Sequence, residues 1–409
     1  MLIEISVSNF RSFKDKQTFS MVAAPRLQKK ENHFPAGALG EKLPNLLKVV
    51  AIYGPNASGK SNLLLALDAF RVFAHQRPSS TPTILPVQPF RFDTALQDKP
   101  SRFEIHFIQD HIRYQFEFAA TQSRIHEERL ICYPRGKETL LYSRTWNGKH
   151  DIYDFGLLEG TKELHATWAN LTSSQVLFIT QAVANSSDDL LQLRSPLKWL
   201  QAGFTVVSSE MRPWANASQQ VAKRAPELMN RLATFLQKVD VPVLGIRFDK
   251  KSPDGGMLDS NDDAPTTTTL THNSSLGAAD FDFDEESSGT KNLIGFWLPW
   301  MLVQDNHAKE YRVLAVDELD SSLHPKIVAS LVSQHIKSGN STQLIFTTHD
   351  THLMDTKLMR RDQFWLTERN SEGATQLRSI HDFVGRDNED IEKRYYEGRY
   401  RSLPLLGES

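Results

Sequence analysis

The apolar positions at the start of the chain predict a strand hairpin and then a buried strand that leads directly into a helix. Residues 2–7 (LIEISV) alternate as a half-buried strand does, and residues 18–23 (TFSMVA) predict a second strand that pairs back on the first. Residues 47–53 (LKVVAIY) form the apolar run of a buried parallel strand. From residue 61 onward (SNLLLALDAFRVFA), leucine and phenylalanine recur at helical spacing. Residues 1–75 therefore predict the first part of an α/β core.

The pattern changes to short strands after a break at residues 77–89, which are rich in proline, serine and threonine. Four segments then place apolar residues between turn-like residues and predict an antiparallel sheet inserted beside the core. These segments are residues 90–92, 102–108, 111–119 and 125–133. Residues 175–180 (QVLFIT) predict a further core strand that ends at Gln181. We therefore assign residues 76–184 to a β-rich insertion and its connection to Gln181.

Helical spacing returns in residues 185–249, which predict a helical subdomain. The patterns are broken near Pro226, and they do not sustain the heptads of a coiled-coil arm. Residues 250–285 contain Asp-Gly-Gly, four consecutive threonines and clustered acidic residues, and this composition predicts an acidic flexible loop. Metal binding by alternate aspartates in this loop is the less favoured interpretation, because such residues are common on exposed segments. Those aspartates are Asp280, Asp282 and Asp284.

Residues 286–409 return to the alternation of helices and buried strands. An apolar helix (NLIGFWLPWMLV) begins at residue 292 and contains Pro299. Strands are predicted at residues 312–316 and 343–347, with a helix (KIVASLVSQHI) between them. A charged hairpin and a basic, aromatic tail follow. The chain therefore predicts an α/β fold whose core is built from its two ends.

Composition narrows the class of protein. The 409 residues are 40% hydrophobic and 23% charged, which suits one large folded domain or two. A single cysteine, Cys132, excludes an intramolecular disulfide and a cysteine-based zinc site. The N-terminus and the absence of long apolar runs predict neither export nor membrane insertion, and hence a cytoplasmic location. A net charge of −2 gives no general signal for nucleic acid, which would need a local basic patch or a partner.

The loop between the buried strand and the first helix carries the residues of a phosphate-binding loop. It fits G-x-x-x-x-G-K-[ST], and the flanking strand and helix supply the context that this motif requires. Its backbone N–H groups, the positive helix end and the Lys60 ammonium would bind phosphate, and the Ser61 hydroxyl would ligate Mg²⁺. The predicted nucleotide-binding residues are Gly54, Asn56, Ala57, Ser58, Gly59, Lys60, Ser61 and Asn62.

Two adjacent carboxylates, Asp317 and Glu318, follow the buried strand at residues 312–316. At such a strand end Asp317 can hold Mg²⁺, while Glu318 can accept a proton from an attacking water molecule. The next strand ends just before His349. The order of phosphate loop, Ser-x-Gly helix start, Asp-Glu and histidine argues against an acidic strand end without a function.

This order resembles the ABC-type ATPase heads of the SMC, RecF and overcoming-lysogenisation branch, over residues 1–75 and 285–352. The resemblance implies an ABC-ATPase head with a mixed sheet and a phosphate-loop core. It matches Gly54, Gly59, Lys60 and Ser61 to the Walker A motif, Asp317 to Walker B, Glu318 to the catalytic glutamate, Asp320 to the D-loop and His349 to the switch histidine.

Three further assignments rest on the same resemblance. Ser288 and Gly289 stand where the family has its L-S-G-G-Q signature, although Glu286 replaces the leucine. Gln181 is the candidate Q-loop glutamine and thus a ligand of Mg²⁺, although a polar residue after any strand could look the same. Arg11, in N-F-R-S-F, resembles a residue that approaches the nucleotide in SMC-like heads; the alternative is a surface arginine.

The resemblance implies an enzyme that hydrolyses ATP to ADP and phosphate with Mg²⁺, in a homodimer whose two heads sandwich two ATP molecules head to tail. A narrower resemblance covers most of the chain. The motifs P-F-R-F, L-D-S-S-L-H-P, T-T-H-D and Y-E-G-R-Y are similar to those of RloA- and AbiL-type bacterial defence ATPases, with the PARIS ATPase as a relative. This implies a sensor or switch in anti-phage defence that controls a separately encoded nuclease-like or toxin effector.

Two other classes of function remain as alternatives. A DNA-repair or chromosome clamp resembling RecF would show a basic groove and salt-sensitive duplex binding, which the net charge does not predict. An importer or exporter ATPase is disfavoured by the N-F-R-S-F opening and by the altered signature.

Overall fold

The computed structural model describes residues 1–79, 81, 83–187, 190–250, 266–304, 312–321, 323–385 and 389–400. Its strands, in chain order, are β1 Leu2–Ser8, β2 Gln17–Ser20, β3 His33–Phe34, β4 Leu46–Leu47, β5 Val49–Tyr53, β6 Ser101–Gln109, β7 Ile112–Ala120, β8 Ile125–Tyr133, β9 Thr139–Trp146, β10 Asp151–Asp154, β11 Phe204–Val207, β12 Val243–Lys250, β13 Thr266–Ser274, β14 Gly277–Asp282, β15 Val313–Val316, β16 Gln343–Thr347, β17 Phe364–Arg369 and β18 Thr375–Ser379. Its helices are α1 Lys60–His75, α2 Lys162–Leu171, α3 Phe178–Ala184, α4 Leu191–Ala202, α5 Arg212–Lys223, α6 Pro226–Lys238, α7 Ser288–Gln304, α8 Pro325–Lys337 and α9 Ile391–Tyr396.

The chain forms two compact units. The first comprises Met1–Val206, Asn306–Asp317 and Val332–Ser409, and the second comprises Val207–Asp305 and Glu318–Leu331. Both units contain helices and strands, so the predicted α/β fold is confirmed.

A mixed sheet of order β11-β15-β16-β5-β17-β18 forms the centre of the first unit. β15, β16, β5 and β17 run parallel, and β18 returns antiparallel to β17. β5 lies between two parallel neighbours and is buried along its whole length, which is why its sequence is an apolar run. The carboxyl ends of β15, β16 and β5 therefore meet at one edge of the sheet.

The second sheet of this unit is antiparallel, with the order β10-β9-β8-β7-β6-β1-β2. The predicted N-terminal hairpin is confirmed, with Ile5 opposite Phe19, and so are the inserted strands β6, β7 and β8. β9 and β10 extend the sheet through residues whose pattern the sequence did not resolve. The expected strand at residues 90–92 was wrong, because that segment adopts no strand conformation.

Helix α1 packs its aromatic side chains against the antiparallel sheet. The rings of Phe70 and Phe73 lie 5.4 and 4.7 Å from the ring of Phe118, centroid to centroid. Phe103 stacks on Phe118 at 4.8 Å. Each such pair contributes about 0.5–1.5 kcal/mol beyond the burial of area. This packing sets the direction of α1 and hence the place of its N-terminus.

The second unit combines helices α5, α6 and α7 with a three-stranded antiparallel sheet, β12-β13-β14. A methyl group on Gly295 of α7 would lie 2.9 Å from the carbonyl oxygen of Met211, so glycine permits close approach at this point. Phe296 contacts Trp300 and Phe235, at centroid distances of 5.3 and 6.5 Å. Apolar packing against α5 and α6 thus supports α7, the helix that starts at Ser288.

The predicted strand at residues 175–180 was wrong, because Phe178–Ala184 forms helix α3. The Glu128 carboxylate accepts hydrogen bonds from the backbone N–H groups of Phe178 and Ile179, at 2.6 and 3.1 Å. A carboxylate on these first amide groups stabilises a helix start. Glu128 is distant in the sequence, so the local apolar pattern carried no sign of it.

The predicted acidic loop at residues 250–285 was wrong for Thr266 onward, where β13 and β14 form a hairpin. Asp280 lies within hydrogen-bond distance of Arg247 and Thr271, at 2.7 Å each, so cross-strand partners fix this acidic segment. Asp282 caps the short 3-10 helix that contains Asp284. Residues 251–265 of the predicted loop lie outside the described residues.

The expected helical subdomain at residues 185–249 is divided between the units. Helix α4 belongs to the first unit, whereas α5 and α6 belong to the second. The break near Pro226 is confirmed, since Pro226 begins α6. Among the described residues, no helix has both the length and the apolar character that crossing a bilayer requires.

Candidate functional site

The phosphate-loop motif lies between the carboxyl end of β5 and the N-terminus of α1, as predicted. Gly54, Ala57 and Gly59 have φ angles of 152°, 60° and 105°. Such left-handed positions turn successive N–H groups to one side and make an anion-binding concavity. Gly59 is the N-cap residue of α1 and, having no side chain, makes no side-chain cap hydrogen bond. The first amide groups of the helix are therefore available to a phosphate.

Lys60 is largely buried, and its ammonium lies across the loop. Its Nζ donates hydrogen bonds to the carbonyl oxygens of Gly54 and Pro55, at 2.9 and 3.1 Å. Ser61 and Asn56 are exposed beside it, and Ala57 is exposed at the tip of the loop. Positive charge, the backbone N–H groups of a helix start and an exposed hydroxyl are the donor set that a nucleotide phosphate with Mg²⁺ requires.

Residues from the far end of the chain brace this loop. Ser58 Oγ lies 2.5 Å from Thr367 Oγ1, and a methyl group on Gly54 would collide with Thr367. Thr375 Oγ1 donates to the Ser58 carbonyl oxygen at 2.7 Å. A methyl group on Gly59 would collide with Thr375. The hairpin of β17 and β18 thus holds the loop from behind, and both glycines are needed for this close contact.

The N-F-R-S-F segment lies against the same loop. Ser12 Oγ accepts a hydrogen bond from Asn62 Nδ2 at 2.8 Å and donates its own proton to Thr375 Oγ1 at 2.7 Å, because the Thr375 proton goes to the Ser58 carbonyl. Arg11 has a φ angle of 52°, and its backbone N–H donates to Gln88. Burial and the neighbouring Arg91 guanidinium lower the pKa of Arg11. The structure therefore places Arg11 next to Ser12, which contacts the start of α1, and brings the charge of Arg91 close to Arg11.

Hydrogen bonds between neighbouring strands place Asp317 at the edge of the sheet where the phosphate loop begins. Its Oδ1 accepts a hydrogen bond from Thr347 Oγ1 at 2.7 Å, and the carboxylate is largely buried. The next residue, Thr348, donates its N–H to the carbonyl oxygen of Ile52 in β5, at 3.1 Å. Asp317 is thus held at the sheet edge where β5 enters the phosphate loop.

Glu318 directly follows Asp317 and adopts φ = 53°, a left-handed angle that is unusual for a residue with a side chain. This conformation costs roughly 1–2 kcal/mol. The Glu318 carbonyl accepts the Ser321 N–H at 2.8 Å, so the chain turns at once after the strand. Both carboxylates lie in this turn, whereas the sequence analysis expected them on the strand end.

His349 follows β16 and is exposed. Its neighbours in the loop, Thr348 and Thr351, are buried. Asp350 Oδ1 accepts hydrogen bonds from the His352 backbone N–H at 3.0 Å and its ring Nδ1 at 2.9 Å. This bond raises the pKa of His352. His349 is therefore exposed between two residues, Thr348 and Thr351, that are buried.

The predicted signature residues, Ser288 and Gly289, begin helix α7 in the second unit. Ser287 Oγ accepts the Thr290 N–H at 3.1 Å and so caps the helix, while Ser288 is exposed. Glu286, which replaces the usual leucine, lies 2.6 Å from His272 Nε2 of β13 and is largely shielded from solvent. The departure from the usual motif is thus explained by a polar contact to a strand that the sequence analysis missed.

Asp320, the predicted D-loop residue, lies in the same unit as helix α7. Asp320 is half-buried, and its carbonyl accepts the Leu323 N–H at 3.1 Å. Asn292 Nδ2 of α7 donates to the Ser321 carbonyl oxygen at 3.4 Å. The turn that contains Asp320 is therefore attached to the helix that starts at Ser288 and Gly289.

Gln181 does not join the phosphate loop. The preceding residue, Thr180, donates a hydrogen bond to the carbonyl oxygen of Ala74 at 3.3 Å. Ala74 is fourteen residues along α1 from Lys60, or about 21 Å at a rise of 1.5 Å per residue. Gln181 therefore lies beside the C-terminal end of α1, whereas the phosphate loop lies at the N-terminal end. This geometry is at odds with the assignment of Gln181 as an Mg²⁺ ligand.

Sequence reasoning missed the side chains that shape the loop from elsewhere in the chain. Thr367 and Thr375 contact the loop from a hairpin that is distant in sequence, and the charge of Arg91 acts on Arg11. The P-F-R-F motif was the available signal for Arg91. No sequence motif marked Thr367 and Thr375, so their contacts with the phosphate loop could not be predicted.

Solved structures similar to the chain include two SMC heads. An SMC head bound to the C-winged helix domain of ScpA is 13% identical, with a TM-score of 0.47, and the match covers 92% of this chain and 97% of that one. The SMC head domain from Thermotoga maritima is 14% identical, with a TM-score of 0.38 and coverage of 92% and 98%. A search of curated proteins found no match.

A protein-family model matches residues 49–164 and 171–355, which is well over half of the chain. The family is described as "AAA domain, putative AbiEii toxin, Type IV TA system". The matched segments include the phosphate loop, the signature helix, the two carboxylates and His349. The chain therefore belongs to this AAA-domain family.

Proposed function

We propose that the protein is an ATPase that binds ATP and Mg²⁺ and closes head to tail with a second copy around the nucleotide. The observation that carries this proposal is the placement of Asp317 at the sheet edge of the phosphate loop. Thr347 holds its carboxylate at 2.7 Å, and Thr348 hydrogen-bonds the strand that enters the loop. A carboxylate and a phosphate cradle at one edge are the parts that bind a metal–nucleotide complex.

Each residue of the proposed site has one task. The loop amides and Lys60 bind phosphate oxygens, and Ser61 and Asp317 would hold Mg²⁺, which would neutralise charge on the phosphates. Glu318 accepts a proton from the attacking water. His349, as the switch histidine, and Arg11 would approach the bound nucleotide. The strained φ angle of Glu318 supports its role, since such strain concentrates at active sites.

The exposed start of α7 supports the proposed dimer. Ser288 and the backbone N–H groups at this helix start form an anion site. In the proposed dimer this site contacts the γ-phosphate bound by the other copy. ATP then joins the two chains, and its hydrolysis releases them.

We expect Ser288→Arg to leave ATP binding by a single chain intact and to prevent closure of the dimer. A long cationic side chain at this exposed position would fill the space that the partner's phosphate needs. Equilibrium binding of a fluorescent ATP analogue and the mass of the protein in ATP would measure the two steps. Ser275→Arg, in an exposed turn of the same unit, is the matched control. Closure of the Ser288→Arg dimer would place the signature elsewhere.

We further propose that ATP binding makes the protein a sensor or switch in bacterial anti-phage defence, of the RloA, AbiL or PARIS type. The family description, which names a toxin and a toxin–antitoxin system, supports this role. The proposed effector is a nuclease-like or toxin protein encoded beside it.

Co-purification tests the defence role. Tagged Glu318→Gln protein, expressed from its native operon with ATP, should retain a stoichiometric effector that mass spectrometry identifies. Recovery of a nucleotide-bound dimer with duplex DNA alone would contradict the switch and favour a DNA clamp.

A further inference from the structure

The C-terminal segment, residues 389–400, is built into the first unit rather than left as a tail. Ile391, Tyr395 and Tyr400 are 0%, 8% and 2% exposed. Gly398, at φ 71°, donates its N–H to the Tyr395 carbonyl, and Arg399 donates to the Arg394 carbonyl. These two bonds are a Schellman cap, which ends α9 and turns the chain inward. The Y-E-G-R-Y motif is thus explained as a helix end that buries Tyr400.

Ion pairs fix the start of the same segment. Glu389 contacts both Arg361, at 3.3 Å, and Arg394. Arg361 also donates to the backbone carbonyls of Ile380 and Phe383. Since Arg361 begins the 3-10 helix Arg361–Gln363, which directly precedes β17, this anchor ties α9 to the core.

The exposed face of α9 meets the loop that carries His349. Thr351 Oγ1 lies 2.7 Å from Glu392 Oε1 and 2.9 Å from the Tyr396 hydroxyl. The threonine hydroxyl has one proton, which it donates to the carboxylate, so the Tyr396 hydroxyl donates to the threonine oxygen. A charge-assisted bond of this kind contributes more than a neutral one. Both partners of Thr351 come from α9.

The His349 loop is therefore held at two points. Before His349, the Thr348 N–H bonds to Ile52 of the strand that enters the phosphate loop. After it, Thr351 bonds to α9. His349 lies between these points and is exposed.

We infer that α9 is a positioning element for His349, with Thr351, Glu392 and Tyr396 as positioning residues for ATP hydrolysis. The inference rests on the proposed ATPase function, because it assigns a task to the same site. A displacement of about 1 Å in a catalytic group can cost up to a hundredfold in rate. Loss of the Thr351 contact should thus lower kcat and leave ATP affinity unchanged, because among the described residues α9 makes no direct hydrogen bond to the phosphate loop.

The test compares Thr351→Val with Thr351→Ser in the full chain. Valine keeps the shape but loses the hydroxyl, whereas serine keeps the hydroxyl. We expect valine to lower kcat roughly 10- to 100-fold with an unchanged Kd for ATP, and serine to retain most of the rate. Hydrogen exchange of residues 348–354 should rise in the valine variant alone. A melting temperature within a few degrees of the parent protein excludes general unfolding.

A second comparison separates positioning from a general structural role. In a His349→Ala background, Thr351→Val should cause little further loss of rate, because its effect passes through His349. An equal loss in both backgrounds would overturn the inference. So would a valine variant that turns over ATP like the parent. Absence of ATP hydrolysis in the parent protein would instead overturn the proposed function, and the inference with it.

Discussion

Replacement of Lys60 by alanine is expected to abolish detectable ATP binding. The Lys60 ammonium lies across the phosphate loop, within 2.9 Å of the Gly54 carbonyl and 3.1 Å of the Pro55 carbonyl. In the proposed complex it bonds phosphate oxygens, and each hydrogen bond to a charged group contributes about 1.5–3 kcal/mol. Loss of two such bonds corresponds to a decrease in affinity of at least a hundredfold. Titration calorimetry with ATP and Mg²⁺ measures this directly.

Lys16→Ala is the control for this experiment. Lys16 pairs with Glu104 on the antiparallel sheet and has no contact with the phosphate loop among the described residues. The control should therefore bind ATP with the parent affinity. Normal affinity in Lys60→Ala, in a protein that melts like the parent, would contradict the assignment of the phosphate loop.

Replacement of Glu318 by glutamine is expected to slow ATP hydrolysis by roughly 10²- to 10⁴-fold, the range in which a general base contributes. Glutamine has the same shape but cannot accept the proton from water. ATP binding should remain, since the phosphate loop and Asp317 are unchanged. With hydrolysis blocked, the ATP-joined dimer should accumulate. Steady-state turnover and the mass of the protein in ATP provide the two readouts.

Glu163→Gln is the matched control, because Glu163 is an exposed carboxylate in the first turn of α2. It should hydrolyse ATP like the parent protein and remain monomeric or dimeric in the same proportions. Turnover in Glu318→Gln equal to that of the control would remove Glu318 from its proposed role.

The proposed roles of Ser288 and of helix α9 can be tested together with these two variants. A dimer trapped by Glu318→Gln provides the state in which Ser288 contacts the partner's nucleotide. The same trapped state provides the protein from which an effector can be recovered. The four variants therefore separate nucleotide binding, hydrolysis, closure and positioning of His349.

Local patterns predicted the elements around the candidate site well. The sequence of β5 is an apolar run because the strand is buried on both faces. The apolar residues of α1 recur at helical spacing because the helix is buried on one face. The phosphate loop lies between them because its glycines permit the left-handed turns at Gly54 and Gly59. Such local features depend on residues close in sequence, so the sequence alone indicates them.

The misjudged segments depend on distant contacts. Residues 175–180 have the composition of a strand, but Glu128 caps their amide groups and helix α3 forms. Residues 266–285 have the composition of a solvated loop, but Arg247 and Thr271 hold Asp280 in a hairpin. These partner residues lie outside the local stretch of sequence from which each element was predicted. Their contacts outweigh the local secondary-structure propensity.

The sequence by itself determined the phosphate loop, the Asp317–Glu318 pair, the position of His349 and the alternation of helices and strands. Tertiary structure decided what holds them: Thr347 on Asp317, Thr367 and Thr375 on the loop, His272 on Glu286, and α9 on Thr351. It also carried Gln181 to the far end of α1. The physical reason is that motifs follow from the chemistry of neighbouring residues, whereas these hydrogen bonds join residues that only folding brings together.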